Sequence, residues 1–238
     1  MTDPAEHGEP GEGSEHRNFY GRRFGKTLKA SHRAYLSEDL AALTPEGISP
    51  EQNPQRAPID PAGLFGDARP IWLEVGFGGG EHLVHMAARY PQVGLIGCEP
   101  FVNGVAMLLG RIRAAGVGNL AVYPGDVRDL FDVLPEGCIA KCFLNYPDPW
   151  PKRRHLERRF VNPGYLQALY RVMKPGAEFR VATDIADYVR QTLIEVPKAG
   201  FVRADQPIHA PWDDWIATRY EQKAIRDGRV PHYLTFYR

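Results

Sequence analysis

Apolar runs and helical periodicities alternate along the chain from residue 71 onward. "IWLEVG" is a short apolar run closed by glycine, and "GEHLVHMAARY" carries apolar residues at 83, 84, 86, 87 and 88, which suits a helix with one buried face. "VGLIGCE" reads as a second strand and "FVNGVAMLLGRIRAAG" as a second helix with a glycine stop. "LAVYPGD" and "IAKCFLNY" are the third and fourth strands, and "EFRVATD" is the fifth, reached through the helical "YLQALYRVMKPG". The terminal "HYLTFYR" alternates weakly and reads as a last, antiparallel strand. Strands separated by helices predict a parallel sheet with right-handed crossovers, so the fold class is α/β, doubly wound.

Ahead of this pattern the character changes. Residues 1–16 are mostly Gly, Pro, Glu and His, the composition of a disordered tail. Residues 17–33 hold six Lys/Arg and no acid, with Phe19, Tyr20 and Phe24 interleaved. Residues 44–70 contain six prolines and read as a linker ending in a surface loop. The expected organisation is a tail (1–16), a basic arm and linker (17–65) and one enzymatic domain (66–238). No repeat is evident.

The whole chain has 238 residues, and its 29 Lys+Arg balance its 29 Asp+Glu. A zero total leaves the uneven local charge to decide the partner. Cys98, Cys138 and Cys142 are too few for a disulfide framework and lack zinc-ligand pairs. His82 and His85, three apart on the first helix, have no further ligands in sequence and read as packing or surface residues, so no metal is expected. The N-terminus has acids where a signal peptide has Lys or Arg, and no apolar run reaches membrane-span length. The expectation is a cytoplasmic protein without membrane contact, monomer or homodimer.

In sheets of this class, ligands bind beyond the carboxyl ends of the strands. The first strand ends in Glu74-Val75-Gly76-Phe77-Gly78-Gly79-Gly80. Gly76 and Gly78 open a dinucleotide-type pattern, but Glu81 stands where its third glycine belongs. A carboxylate there repels a pyrophosphate at the helix start. A cationic, phosphate-free cofactor, S-adenosyl-L-methionine, fits better than NAD. Glu99 ends the second strand, where an acid accepts hydrogen bonds from ribose hydroxyls, and Asp126 ends the third, within reach of an adenine amino group.

The fourth strand delivers "NYPDPWPKRRHLERR". Pro147 and Pro149 bracket Asp148 and stiffen its backbone, and Trp150 offers a flat face for a base. Lys152, Arg153, Arg154, Arg158 and Arg159 follow, read as a helix beside the reacting centre. With the basic arm they make two cationic patches on a neutral protein, which points to a polyanion. Asp184 ends the fifth strand, and "ATRYEQKA" is an amphipathic helix. Two other readings of these residues are a noncatalytic RNA-binding module and an enzyme methylating an exocyclic amino group, since Pro-Asp-Pro-Trp is similar to the loops of such enzymes.

The stretches "LEVGFGGGEHL", "GCEPF", "GD", "NYPDPWPKRRHLERR", "ATD" and "TRYEQKA", in this order, resemble the bacterial single-chain tRNA (guanine-N7-)-methyltransferases. The resemblance covers residues 71–238 and departs from the family at Leu156, Glu157 and Tyr220. It implies a class I methyltransferase fold, with a mostly parallel seven-stranded sheet and an antiparallel last strand. It implies methyl transfer from S-adenosyl-L-methionine to N7 of guanosine 46 in the variable loop of tRNA. By position, Glu74, Glu99, Asp126 and Asp148 match cofactor contacts, and Asp148 the catalytic residue. Lys152, Asp184, Thr218, Arg219, Tyr220 and Glu221 match substrate contacts. Arg154, His155, Arg158 and Arg159 fall in the RNA-binding segment.

Overall fold

The computed structural model describes residues 21–238. The tail at 1–16 and the first part of the basic arm, with Phe19 and Tyr20, lie outside the described residues.

Seven strands form one sheet in the order β3-β2-β1-β4-β5-β7-β6. They are β1 (Ile71–Val75), β2 (Gly94–Cys98), β3 (Leu120–Tyr123), β4 (Ile139–Asn145), β5 (Met173–Thr183), β6 (Val202–Arg203) and β7 (His232–Tyr237). The first five pair in parallel, and β7 runs antiparallel to both β5 and β6. Every strand falls on a run singled out in the sequence except β6, which is two residues long and carries no apolar run of its own.

Period-2 alternation along the central strands assigns side chains to two cores. Leu73, Ile96, Ala121, Cys142 and Leu144 face one side, with Phe179 and Val181 of β5. There they meet α5 (Val127–Val133), α6 (Pro163–Val172) and α7 (Ala186–Lys198). Leu95, Leu120, Val122 and Phe143 face the other side and meet α3 (Glu81–Arg89) and α4 (Val102–Ala115). Each fully buried Leu, Ile or Phe contributes about 1.5–3 kcal/mol. Helices cover both faces, as continuous parallel strands require.

Two short helices precede the sheet, α1 (Ala30–Glu38) and α2 (Leu40–Leu43). Tyr35 of α1 lies under the Arg113 guanidinium of α4, 4.9 Å from its ring centre, and Arg113 also pairs with Glu38 and Asp39. The proline-rich segment is not a spacer. Ile48 is fully buried in the α5–α7 core, the Ile59 N–H donates to the Val133 carbonyl at 2.9 Å, and Phe65 packs on Gly94. These apolar residues hold the segment against the domain, while Pro50, Pro54, Pro58 and Pro70 are exposed.

The strand order reverses at β1, whose neighbours β2 and β4 lead the chain in opposite directions. Loops leaving these strand ends diverge and open a crevice there. No helix among the described residues is long and apolar enough to cross a membrane.

Candidate active site

A cavity of ≈ 690 Å³ occupies that crevice. Gly76 and Gly78 form one wall, Glu99 and Asp126 the next, and Asp148, Trp150 and Arg158 the far side, with Tyr220 over the glycine turn. Four separate strand ends thus converge on one space.

Gly76, Gly78 and Gly80 all have positive φ (70°, 55° and 77°), a region that glycine enters without a side-chain clash. The turn they make is closed by Glu99. Its Oε2 accepts from the Gly78 N–H at 2.8 Å, and its Oε1 accepts from the Phe101 N–H at 2.9 Å. Burial pushes the Glu99 carboxyl up to about 7, against these two amide donors; nearby Asp148 adds to the rise and Arg219 opposes it. Asp126 caps α5 by accepting from the Arg128 N–H at 2.9 Å, and its second oxygen pairs with the Arg128 guanidinium at 2.5 Å.

Asp148 stands on the exit loop of β4. The loop starts at Tyr146 (φ 50°) and turns again at Trp150 (φ 37°), both in the left-handed region. Asp148 is itself exposed at the cavity rim; partial desolvation by its neighbours raises the carboxyl, and Arg22 of the basic arm counters this. Arg22 reaches the site because the arm is tied across the start of α4. The Gly25 N–H donates to Asn103 Oδ1 at 2.8 Å, Asn103 Nδ2 donates to the Lys26 carbonyl at 2.7 Å, and the Val102 N–H donates to the Arg23 carbonyl at 2.9 Å.

The cationic run forms a 3₁₀ helix at Arg153–Arg158 rather than an α-helix. Lys152, Arg153 and Arg154 are exposed. His155 meets Trp150 edge-on at 5.8 Å, and its imidazole is held below its usual value by desolvation and then by Arg158, Arg154 and Lys152. Arg158 lies over the Trp150 ring at 5.2 Å and faces the cavity.

Several expected site residues are placed elsewhere. Arg159, expected to face RNA, is 1% exposed, and its three guanidinium nitrogens are all engaged within the protein. Glu74 is buried behind the glycine turn, where its Oε2 pairs with His82 Nδ1 at 2.8 Å. Glu221 is also buried; Trp215 Nε1 donates to it at 2.7 Å and the Tyr233 hydroxyl at 2.9 Å, so both its oxygens are occupied. Thr218 is the N-cap of α8 (Arg219–Arg226) and accepts from the Glu221 N–H at 3.3 Å. Thr-Arg-Tyr-Glu is thus a capping-box spacing whose acid has turned inward. Asp184 pairs with Arg229 at 2.8 Å. Arg219 lies over the Tyr220 ring at 4.9 Å, and the pair roofs Gly78.

The cavity wall has further contributors. Tyr165 and Phe160 arrive from the start of α6 and the segment before it, and Phe101 from the start of α4. No sequence signal marks them, since each is one aromatic among many. Arg22 was legible only as part of a basic arm.

An acidic, glycine-cradled crevice at the reversal point of this seven-stranded sheet defines the class I methyltransferase fold. Solved structures share it. A 16S rRNA (adenine(1408)-N(1))-methyltransferase variant from Catenulisporales acidiphilia, solved with cosubstrate SAM, is 19% identical with TM-score 0.54, covering 75% of this chain and 91% of that one. An antibiotic-related methyltransferase is 16% identical with TM-score 0.55, over 76% and 96%. Residues 68–234 match the family described as "Putative methyltransferase". The tRNA (guanine-N(7)-)-methyltransferase of Paracoccus denitrificans is 69% identical over 93% of this chain and 95% of its own length. That of Cereibacter sphaeroides is 70% identical over 95% and 93%. That of Rhodospirillum rubrum is 44% identical over 96% and 91%. The chain belongs to the tRNA (guanine-N(7)-)-methyltransferase family.

Proposed function

We propose that this protein transfers a methyl group from S-adenosyl-L-methionine to N7 of guanosine 46 in the variable loop of tRNA. The observation that carries the reading is the presence of Asp148, on its proline-braced loop, in the same cavity as the glycine turn and Glu99.

The cavity suits this cofactor. Two carboxylates with raised proton affinity face one space, and a cationic ligand relieves both. A Cβ at Gly78 would meet the Tyr220 ring at 3.0 Å, so a residue without a side chain lets that ring close over the turn. Glu99, with two amides already bound, keeps lone pairs for ribose hydroxyls, and Asp126, which lines the same cavity, is assigned to the adenine amino group. When bound, S-adenosyl-L-methionine supplies an electrophilic methyl on a positively charged sulfur.

Guanine N7 has an in-plane lone pair and no proton to lose, so no general base is needed. What the protein supplies is alignment and charge. Asp148 faces the positive charge that develops on the methylated purine, and a carboxylate held beside that charge stabilises it. Trp150 offers a stacking face, and exposed Lys152, Arg153 and Arg154 offer phosphate contacts. Incubation with S-adenosyl-L-methionine and unmodified tRNA, then nucleoside mass spectrometry, tests this. Methylation confined to an exocyclic amino group would replace it.

A further inference from the structure

The loop that carries Asp148 has few backbone means of holding itself. Prolines at 147, 149 and 151 remove three amide donors. Tyr146 and Trp150 sit at φ 50° and 37°, a region that non-glycine residues keep only where their surroundings hold them. At its start the loop is tied to the sheet, since the Tyr146 N–H donates to the Ala182 carbonyl at 2.8 Å.

Past Asp148 the tie is a side chain. Arg159 Nε donates to the carbonyl of Pro149, the residue next to Asp148, at 2.7 Å. Arg159 Nη1 donates to Gln191 Oε1 at 2.7 Å and Nη2 to Asp187 Oδ2 at 2.8 Å, both on α7. The guanidinium lies 5.1 Å from the Tyr188 ring centre, and Gln191 Nε2 in turn donates to the Val161 carbonyl at 2.6 Å. A planar fork with fixed donor directions meets these three acceptors together; a lysine ammonium on a flexible stem does not reproduce that geometry.

We infer that Arg159 is a positioning residue: it pins the Pro149 carbonyl to α7 and so sets where the Asp148 carboxylate stands. The inference rests on the proposed role of Asp148. It removes Arg159 from phosphate recognition, because the side chain is 1% exposed and Nε, Nη1 and Nη2 are all engaged. It also joins two regions that look unrelated in sequence, the cationic run and the first two turns of α7.

The test compares Arg159→Lys with wild type in kcat, in KM for tRNA, in the salt dependence of tRNA binding and in deuterium uptake of the peptide 145–152. Lysine keeps the charge and loses the fork. The expected result is a kcat lowered about tenfold or more and faster exchange in the loop. KM for tRNA and the salt slope stay within about twofold, because no phosphate contact is lost. Asp187→Asn is the second variant, since Asp187 is half exposed and its loss leaves the buried arginine in place. It moves kcat and exchange in the same direction by less, and it decides the matter if Arg159→Lys does not fold. Wild-type kcat and wild-type exchange in whichever variants fold would overturn the inference. So would a defect confined to tRNA affinity with a shallower salt slope. If the wild-type enzyme forms no 7-methylguanosine, the functional reading fails, while the exchange comparison still reports on the pin.

Discussion

The Gly78 N–H donates to the Glu99 carboxylate at 2.8 Å, 21 positions along the chain. One hydrogen bond thus ties the glycine turn after β1 to the end of β2, and the two walls of the cofactor cavity become one unit. The acid in that bond carries a proton affinity raised to about 7 by burial. The folded chain therefore holds this proton more tightly than the unfolded chain. The group's contribution to stability is fully present below about 4.5, the unfolded value, and is lost as pH rises through about 7. Ribose hydroxyls prefer the ionised form, so cofactor affinity runs the other way and weakens by up to about tenfold per unit as pH falls below about 7. Calorimetric titration of S-adenosyl-L-methionine from pH 5.5 to 8 checks this. Glu99→Gln should bind weakly at every pH with the slope gone, and a wild-type profile that is flat would remove Glu99 from the ribose.

Gly104 guards the same turn from the helix side. A Cβ there would stand 2.2 Å from the Gly78 carbonyl oxygen, which is backbone and cannot swing aside. Gly104→Ala should destabilise the fold by about 1–3 kcal/mol. It should weaken cofactor binding at least about tenfold by displacing the turn. Thermal unfolding and the same titration measure both, and normal affinity in a well-folded variant would mean that the turn is not the binding element.

Asp148→Asn keeps the loop's shape and removes its charge. The methylation rate under single-turnover conditions should fall by about 10²–10³, while the Kd for tRNA stays within about threefold because phosphate contacts carry the affinity. A loss found only in affinity would reassign Asp148 to tRNA docking.

Arg154 is exposed at the start of the 3₁₀ helix, and its Nε contacts His155 Nε2 at 3.3 Å. Arg154→Ala should raise KM for tRNA and lower the slope of log K against log salt by about one, with kcat after saturation nearly unchanged. An unaltered slope would take Arg154 off the phosphate backbone.

The sheet was legible because its strands are continuous apolar runs closed by glycine or acid, and β4, whose "KCFLN" leads straight to Asp148, is the clearest case. The convergence of Glu99, Asp126 and Asp148 was legible from topology alone, as strand ends of one parallel sheet share an edge. Side-chain direction was not. Arg159 and Arg154 sit in one charge run, yet one is spent inside the protein and the other is exposed; only the third dimension separates them. Glu221 in "TRYEQKA" reads as one acid of an amphipathic helix, matched by resemblance to a substrate contact, whereas Trp215 and Tyr233 occupy both its oxygens. Ile48 gave no warning, being a lone apolar residue among prolines and polar groups. No helix is singled out in the sequence between β5 and "ATRYEQKA", yet α7 was legible: its buried Tyr188, Val189, Thr192 and Val196 recur at helical spacing, with Pro197 only in the last turn.

The most direct test replaces the reacting atom itself. Methyl-labelled S-adenosyl-L-methionine is incubated with the enzyme and tRNA carrying either guanosine or 7-deazaguanosine at position 46. Expected is label in 7-methylguanosine at that position with guanosine, and none transferred to the 7-deaza tRNA, which has carbon in place of the attacking nitrogen. Equal labelling of the two tRNAs, or label recovered in a different nucleoside, would contradict methyl transfer to N7.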